Sequence, residues 1–277
     1  MASIVVFGGT GYTGANIVRE AGSRGHQVVS VSRSEPQDRI DGVRYEVGAA
    51  EQLAQRVVPG ADAAVATLSP RGDMAGRLVG VYGELARLSA EAGARYVQIG
   101  GFSSLRPAAD APRFVEGEVQ EQYREEALEG ETTRVLLFEG APRDLDWVFV
   151  SPAGAYGAWA TGERTGTYRL GGEVALFDGE GGSNISGADF AIAVVDEIET
   201  PAHHREHIGI AYQERARPRR RTPEERLDIG RAARRRRPRT RPACEPWAVA
   251  AQPVLRRGGN LPRLDRPPQG RRRRTGE

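Results

Sequence analysis

The chain of 277 residues holds 39 Arg, no Lys and one cysteine, and its net charge of +2 conceals two opposed parts: 21 Arg against 7 acids in residues 213–277, and 18 Arg against 30 acids in residues 1–212. The lone Cys244 excludes an intrachain disulfide and a cysteine-based metal cluster, and no other motif calls for a metal. No apolar run is long enough to span a bilayer and no basic, apolar leader follows Met1, which predicts a soluble cytoplasmic protein without a membrane partner.

In chain order, the apolar run Ser3-Ile4-Val5-Val6 leads into Phe7-Gly8-Gly9-Thr10-Gly11-Tyr12-Thr13-Gly14, and residues 15–24 have helical spacing through Ile17, Val18 and Ala21. Strand, glycine turn and helix in that order are the fingerprint of a dinucleotide site. One glycine turns the chain, one admits a pyrophosphate, and Gly14 lets the helix pack on the sheet. Phosphates then meet free N–H groups at the positive end of the helix dipole, so Gly8, Gly9, Thr10, Gly11, Tyr12 and Thr13 are the candidate cofactor-binding residues.

Residues 27–32 form a second strand, ending in Ser32-Arg33-Ser34. An NAD site places Asp or Glu here for the ribose hydroxyls, whereas Arg33 suits the 2′-phosphate, so NADP(H) is preferred over NAD(H). Glu35 nearby supports the alternative of a solvated Arg in a loop. Residues 43–47 read as a strand, 50–58 as a helix and 62–68 as a buried strand broken by Ser69-Pro70-Arg71-Gly72. A long amphipathic helix spans 74–93, and the strand 95–99 ends in Gly100-Gly101-Phe102-Ser103-Ser104. Paired glycines there suit either close backbone approach to a ligand or a tight turn.

A proline-bearing loop over 105–115 precedes a charged helix over 116–128, and a sixth strand over 145–150 closes at Ser151-Pro152. The loop 153–164 carries Tyr156 and Trp159, which suit a lid that stacks on a flat substrate or simple packing on the body. Residues 165–177 read as a hairpin turning at Gly171-Gly172. Ser186 then caps a helix, with Asp189 in an S-x-x-D arrangement that explains Asp189 better than catalysis does. Residues 208–212 supply the last strand.

VVFGGTGYTG, RYVQIGG, Leu145-Asp146-Trp147 with Ser151-Pro152, GERTGTYRLG, ISGADFA and the Asp196-Glu197-Ile198 helix before Pro201 together resemble the atypical short-chain dehydrogenase/reductases. Among these the NAD(P)H-binding, NmrA-like and flavin-reductase-like (biliverdin-IXβ-reductase-like) proteins are the nearest group. The resemblance covers residues 1–212. It implies an α/β fold, a Rossmann-type doubly wound parallel sheet with a small substrate-side hairpin. NADP would lie at residues 8–13 and Arg33, with the strand ends at Leu68 and Gly100 near the cofactor.

Typical members use a Tyr-x-x-x-Lys pair, in which Lys lowers the Tyr pKa. A chain without Lys cannot form it, and Tyr123 is followed four residues on by Ala127. The flavin-reductase-like relatives carry a serine after the fifth strand and a histidine after the Pro of the sixth, where this chain has Gly101 and Ala153. Hydride transfer to a flavin or quinone chiefly requires the nicotinamide to be held against the acceptor ring. The expectation is an NADPH-dependent reductase acting on a small conjugated acceptor, with Gly100 and Gly101 bordering the nicotinamide and Ser103 polarising the substrate. The competing class is a non-catalytic NmrA-like NADP(H) sensor that acts through a protein partner.

From Gln213 the pattern stops. Arg219 to Arg221, Arg234 to Arg237 and Arg271 to Arg274 stand among prolines, with Trp247 as the only aromatic, a composition that predicts disorder. A nucleic-acid arm would interleave stacking aromatics, so a frameshifted or unselected extension is preferred. Neither the specific substrate nor the oligomeric state is legible in any motif.

Overall fold

The computed structural model describes residues 1–212; the expectations for residues 213–277 lie outside the described residues. The elements in chain order are β1 (Ser3–Phe7), α1 (Tyr12–Ser23), β2 (Gln27–Ser32), β3 (Val43–Val47), α2 (Ala50–Val57), β4 (Ala63–Ala66), α3 (Leu78–Ala92), β5 (Arg95–Ile99), α4 (Glu121–Gly140), β6 (Trp147–Pro152), β7 (Arg169–Gly171), α5 (Gly187–Glu199) and β8 (Glu206–Ala211). They build one sheet in the order β3-β2-β1-β4-β5-β6-β8-β7. Every neighbouring pair is parallel except β7 with β8. The chain winds to one side of β1 and then to the other, so the switch point lies between β1 and β4, where such sheets bind ligands at their carboxyl ends.

Alternate residues of each strand serve opposite faces. Ile4 and Val6 pack with Ile17, Val18, Phe190 and Val194 under α1 and α5. Val5 and Phe7 pack with Val57, Leu78 and Leu85 under α2 and α3. Because both faces are covered, the strands read as unbroken apolar runs. Among the described residues no helix is long and apolar enough to cross a membrane.

The helix expected over 74–93 begins only at Leu78, after a separate 3-10 turn at Gly72–Met74, and two further stretches depart from the sequence reading. The charged helix begins at Glu121 and continues to Gly140. Thr133 and Leu137 are buried, the Thr133 hydroxyl donates to the Gly130 carbonyl at 2.7 Å, and Gln98 donates to Thr133 at 2.9 Å. Tertiary burial thus carries the helix through a glycine and two threonines whose own propensity is poor. Within 165–177 the ordered strand is Arg169–Gly171, whose partner is β8, and Val174 bridges to Arg106 instead.

Ser186 caps α5, its Oγ accepting from the Asp189 N–H at 3.1 Å, as expected. The fully buried Asp189 carboxylate does more. It accepts from the N–H groups of Thr165 and Gly166, both at 2.8 Å, and from the hydroxyls of Thr165 at 2.9 Å and Tyr212 at 2.8 Å. Burial alone would raise its pKa, but these donors outweigh it and hold the carboxyl below its ordinary range. Asp189→Asn replaces an ionised acceptor by an amide facing several donors. It is expected to cost about 2–4 kcal/mol in urea unfolding at neutral pH. Since the depressed pKa stabilises the fold above the ordinary carboxylate range, the difference from wild type should shrink as pH falls through the native value.

Candidate functional site

The turn after β1 sits under the switch point, and its glycines have distinct packing reasons. Gly8 is left-handed, φ +87°, and a Cβ there would lie 2.6 Å from Thr67 Oγ1. A Cβ on Gly9 would lie 2.2 Å from Ser30 Oγ, and one on Gly14 would lie 2.2 Å from the Gly8 carbonyl oxygen. At Gly11 the nearest atom is that carbonyl at 3.3 Å, so the approach to its exposed side stays open. The N–H groups of Gly8 and Gly9 donate to the Val31 carbonyl at 2.9 and 3.1 Å, tying the turn to β2. By contrast Tyr12, Thr13 and Gly14, the first three helical residues, have N–H groups with no acceptor among the described residues, and no side chain caps the helix. Three unsatisfied donors at a helix N-terminus are suited to receive an anion.

Two cavities open on the carboxyl edge of the sheet. An outer one of 390 Å³ runs from Gly8, Thr10 and Gly11 to Arg33, and an inner one of 460 Å³ is bounded by Thr13, Gly100, Phe102, Ser103 and Tyr123. Thr67, Leu68, Ser69 and Arg71 line both, so the two adjoin beside the glycine turn. Thr67 Oγ1 donates to the Phe7 carbonyl at 2.8 Å and fixes this junction. Cradle, free donors and a two-chambered cleft fit an extended dinucleotide.

The predicted residues fall as follows. Gly8, Thr10 and Gly11 line the outer cavity, and Gly9 is buried in the turn. Tyr12 and Thr13 offer backbone donors, while the Tyr12 hydroxyl accepts from the Gly187 N–H at 3.0 Å and the Thr13 hydroxyl bonds Tyr156 at 2.9 Å. Arg33 stands exposed at the outer mouth, paired with Asp73. Leu68 accepts the Tyr82 hydroxyl at its carbonyl, 2.9 Å away. Gly100 and Gly101 line the inner cavity, but the missing side chain of Gly100 leaves room for Phe149, whose Cζ lies 2.2 Å from an ideal Cβ. Ser103 is half-buried and its hydroxyl has no partner among the described residues.

Neither lid aromatic lines the inner cavity. Tyr156 turns inward onto Tyr12 and Phe190, with ring centroids 5.4 and 4.8 Å apart, and Trp159 is 77 % exposed. The wall comes instead from α4, through Tyr123 and Ala127, and from Phe102, which stacks on Phe114 at 4.8 Å. Sequence reasoning missed Thr67, Arg71 and Asp73; the break at residues 69–72 was the available signal. It also missed a buried support. Ser151 donates to the Gly101 carbonyl at 2.8 Å, and His207 Nε2 lies 2.9 Å from Ser151 Oγ. The one Ser151 proton is used on Gly101, so His207 donates through Nε2–H and its Nδ1 is left without a partner.

A doubly wound sheet with a glycine cradle and an uncapped helix N-terminus at its switch point defines a dinucleotide-binding protein of Rossmann type. The chain belongs to the NAD(P)H-binding family, whose profile matches residues 8–201, and it is of the atypical short-chain dehydrogenase/reductase, NmrA-like kind. It is 30 % identical over 228 residues to the uncharacterised protein YwnB of Bacillus subtilis (strain 168), covering 75 % of this chain and 97 % of YwnB. A Streptococcus pneumoniae TIGR4 structure, provisionally named an NADH-flavin reductase, superposes with a TM-score of 0.66 at 27 % identity, over 77 % of this chain and 100 % of the other. A Bacteroides thetaiotaomicron structure, provisionally named an epimerase, gives 0.68 at 32 %, over 77 % and 98 %.

Proposed function

We propose that the protein is an NADPH-dependent reductase that passes hydride to a small, flat, conjugated acceptor such as a flavin or quinone. The observation that carries this reading is the inner cavity. It adjoins the dinucleotide cavity, its surface includes Leu68, Ile99 and Phe102, and it presents the unpartnered Ser103 hydroxyl. Arg71, shared by both cavities, is neutralised by Glu126 at 2.7 Å, which suits an uncharged ring. The provisional name of the Streptococcus pneumoniae relative points the same way.

NADPH, when bound, supplies the hydride. The free N–H groups of Tyr12, Thr13 and Gly14 bind its pyrophosphate, and Arg33 binds the 2′-phosphate. Ser103 donates a hydrogen bond to the acceptor's carbonyl oxygen or ring nitrogen, where negative charge grows as hydride arrives. Phe102 and Tyr123 hold the ring and displace water. The proton that completes reduction comes from solvent.

Ser103→Ala is expected to lower kcat about 10- to 100-fold with a flavin or quinone acceptor, with little change in NADPH affinity. Oxidation of NADPH in the presence of each acceptor, followed optically, makes the measurement. A second reading, the NADP(H) sensor, is favoured by the wall of the same cavity. Ala127 lies one helical turn beyond Tyr123, where a cation would be needed to activate the phenol. Tight NADPH binding with no turnover on any flavin or quinone would replace the reductase by the sensor.

A further inference from the structure

Each arginine of the outer cavity is already answered by a carboxylate. Arg77 meets Glu51 at 2.6 Å, Arg71 meets Glu126 at 2.7 Å, and Arg33 meets Asp73. Only the last pair involves the residue assigned to the cofactor's 2′ position. Asp73 is delivered there by construction. It lies in a single 3-10 turn, Gly72–Met74, bracketed by left-handed Gly72 (φ +62°) and Gly76 (φ +72°). Met74 anchors the turn in the core at 5 % exposure, and Glu129 of α4 accepts from the N–H groups of Gly76 and Leu78, both at 2.8 Å. With its C-terminal side pinned in this way, the turn holds an acid against Arg33.

We propose that Asp73 is a specificity-determining residue: it pairs with Arg33, and the 2′-phosphate of NADP(H) must displace it. The inference rests on the assignment of Arg33 to the 2′-phosphate. The pair is well exposed, 52 % and 69 % at the two side chains, so it is weak enough to be displaced. A phosphate carrying nearly two charges wins the guanidinium through shorter, charge-assisted bonds, but it does so against the carboxylate. NAD(H), with hydroxyls at that position, has no such competitor. Asp73 therefore narrows the preference for NADP(H) that Arg33 creates.

The test is a double-mutant cycle on the full chain, with Kd for NADP+ and NAD+ measured by calorimetry at one fixed low salt concentration. Asp73→Asn should tighten NADP+ binding about 3- to 10-fold and shift NAD+ by less than about 2-fold. Arg33→Gln should weaken NADP+ about 10- to 100-fold. In the Arg33→Gln background, Asp73→Asn should no longer tighten NADP+ by more than about 2-fold. Tightening that persists there means the carboxylate acts through its field on the phosphate, and displacement from Arg33 is wrong. Unchanged NADP+ affinity in Asp73→Asn, or weakened NAD+ affinity, likewise overturns the proposal while leaving Arg33 in its role. An Arg33→Gln protein that binds NADP+ as wild type does overturns the assignment of Arg33 itself. Asp73 is exposed, so folding is not at issue, and an unchanged melting midpoint verifies this.

Discussion

Replacing Gly14 by alanine is expected to abolish measurable dinucleotide binding, a loss of about 100-fold or more, and to cost the fold about 1–3 kcal/mol. The added Cβ would fall 2.2 Å from the Gly8 carbonyl oxygen, 2.7 Å from its carbon and 2.8 Å from Gly9 Cα. All three are backbone atoms, so no flexible side chain can give way. Either α1 lifts from the sheet or the turn opens. In both cases the N–H groups of Tyr12, Thr13 and Gly14 leave the positions proposed for pyrophosphate binding. Gly80→Ala is the control, because Gly80 lies exposed in α3 with nothing within 4 Å of an added Cβ. It should stabilise the helix by up to about 1 kcal/mol and leave binding intact. Calorimetric titration with NADP+ and thermal unfolding of both variants separate the effects. Gly14→Ala binding like wild type would remove the cradle from the site.

The same turn explains why so much of the fold was legible. Strand, glycine turn and helix state their chemistry within a dozen residues, and strands covered on both faces read as apolar runs whatever surrounds them. Two of them, Val43–Val47 and Arg95–Ile99, fall where the sequence places them. What escaped depends on contacts far along the chain. The second half of α4 forms because Gln98 and the core claim Thr133, which nothing local announces. Gly100 borders the site, yet what demands a glycine is the ring of Phe149 on the neighbouring strand. Asp73 reaches Arg33 because Met74 and Glu129 pin its turn, and Tyr156 turns inward because Thr13 and Phe190 receive it. Motif chemistry survives in one dimension; the far wall of a cavity does not.

His207 should dominate the early acid limb of stability. Its imidazole lies in β8 at 6 % exposure, edge-on to Phe149 at 4.8 Å, and donates to Ser151. Burial first, and then the positive charges of Arg113 and Arg134, push its pKa from 6.5 down to about 3, with Glu173 opposing weakly. The folded state therefore refuses a proton that the unfolded chain takes up. Above 6.5 both states are neutral and the contribution is fully present. Below it stability falls by about 1.4 kcal/mol per pH unit until the native group itself titrates. Asp189 and other depressed carboxylates begin to lose their contribution only as pH falls through the ordinary carboxylate range, so the fall between pH 6.5 and 5 belongs to His207. His207→Gln keeps an N–H donor for Ser151 but cannot take up a proton. Relative to its difference from wild type at pH 8, this variant should gain about 2 kcal/mol at pH 5 in urea unfolding. A pH-independent difference would mean that the imidazole titrates alike in both states. Because Ser151 holds the Gly101 carbonyl at the edge of the inner cavity, the shape of that edge and the acid stability of the sheet depend on one neutral histidine.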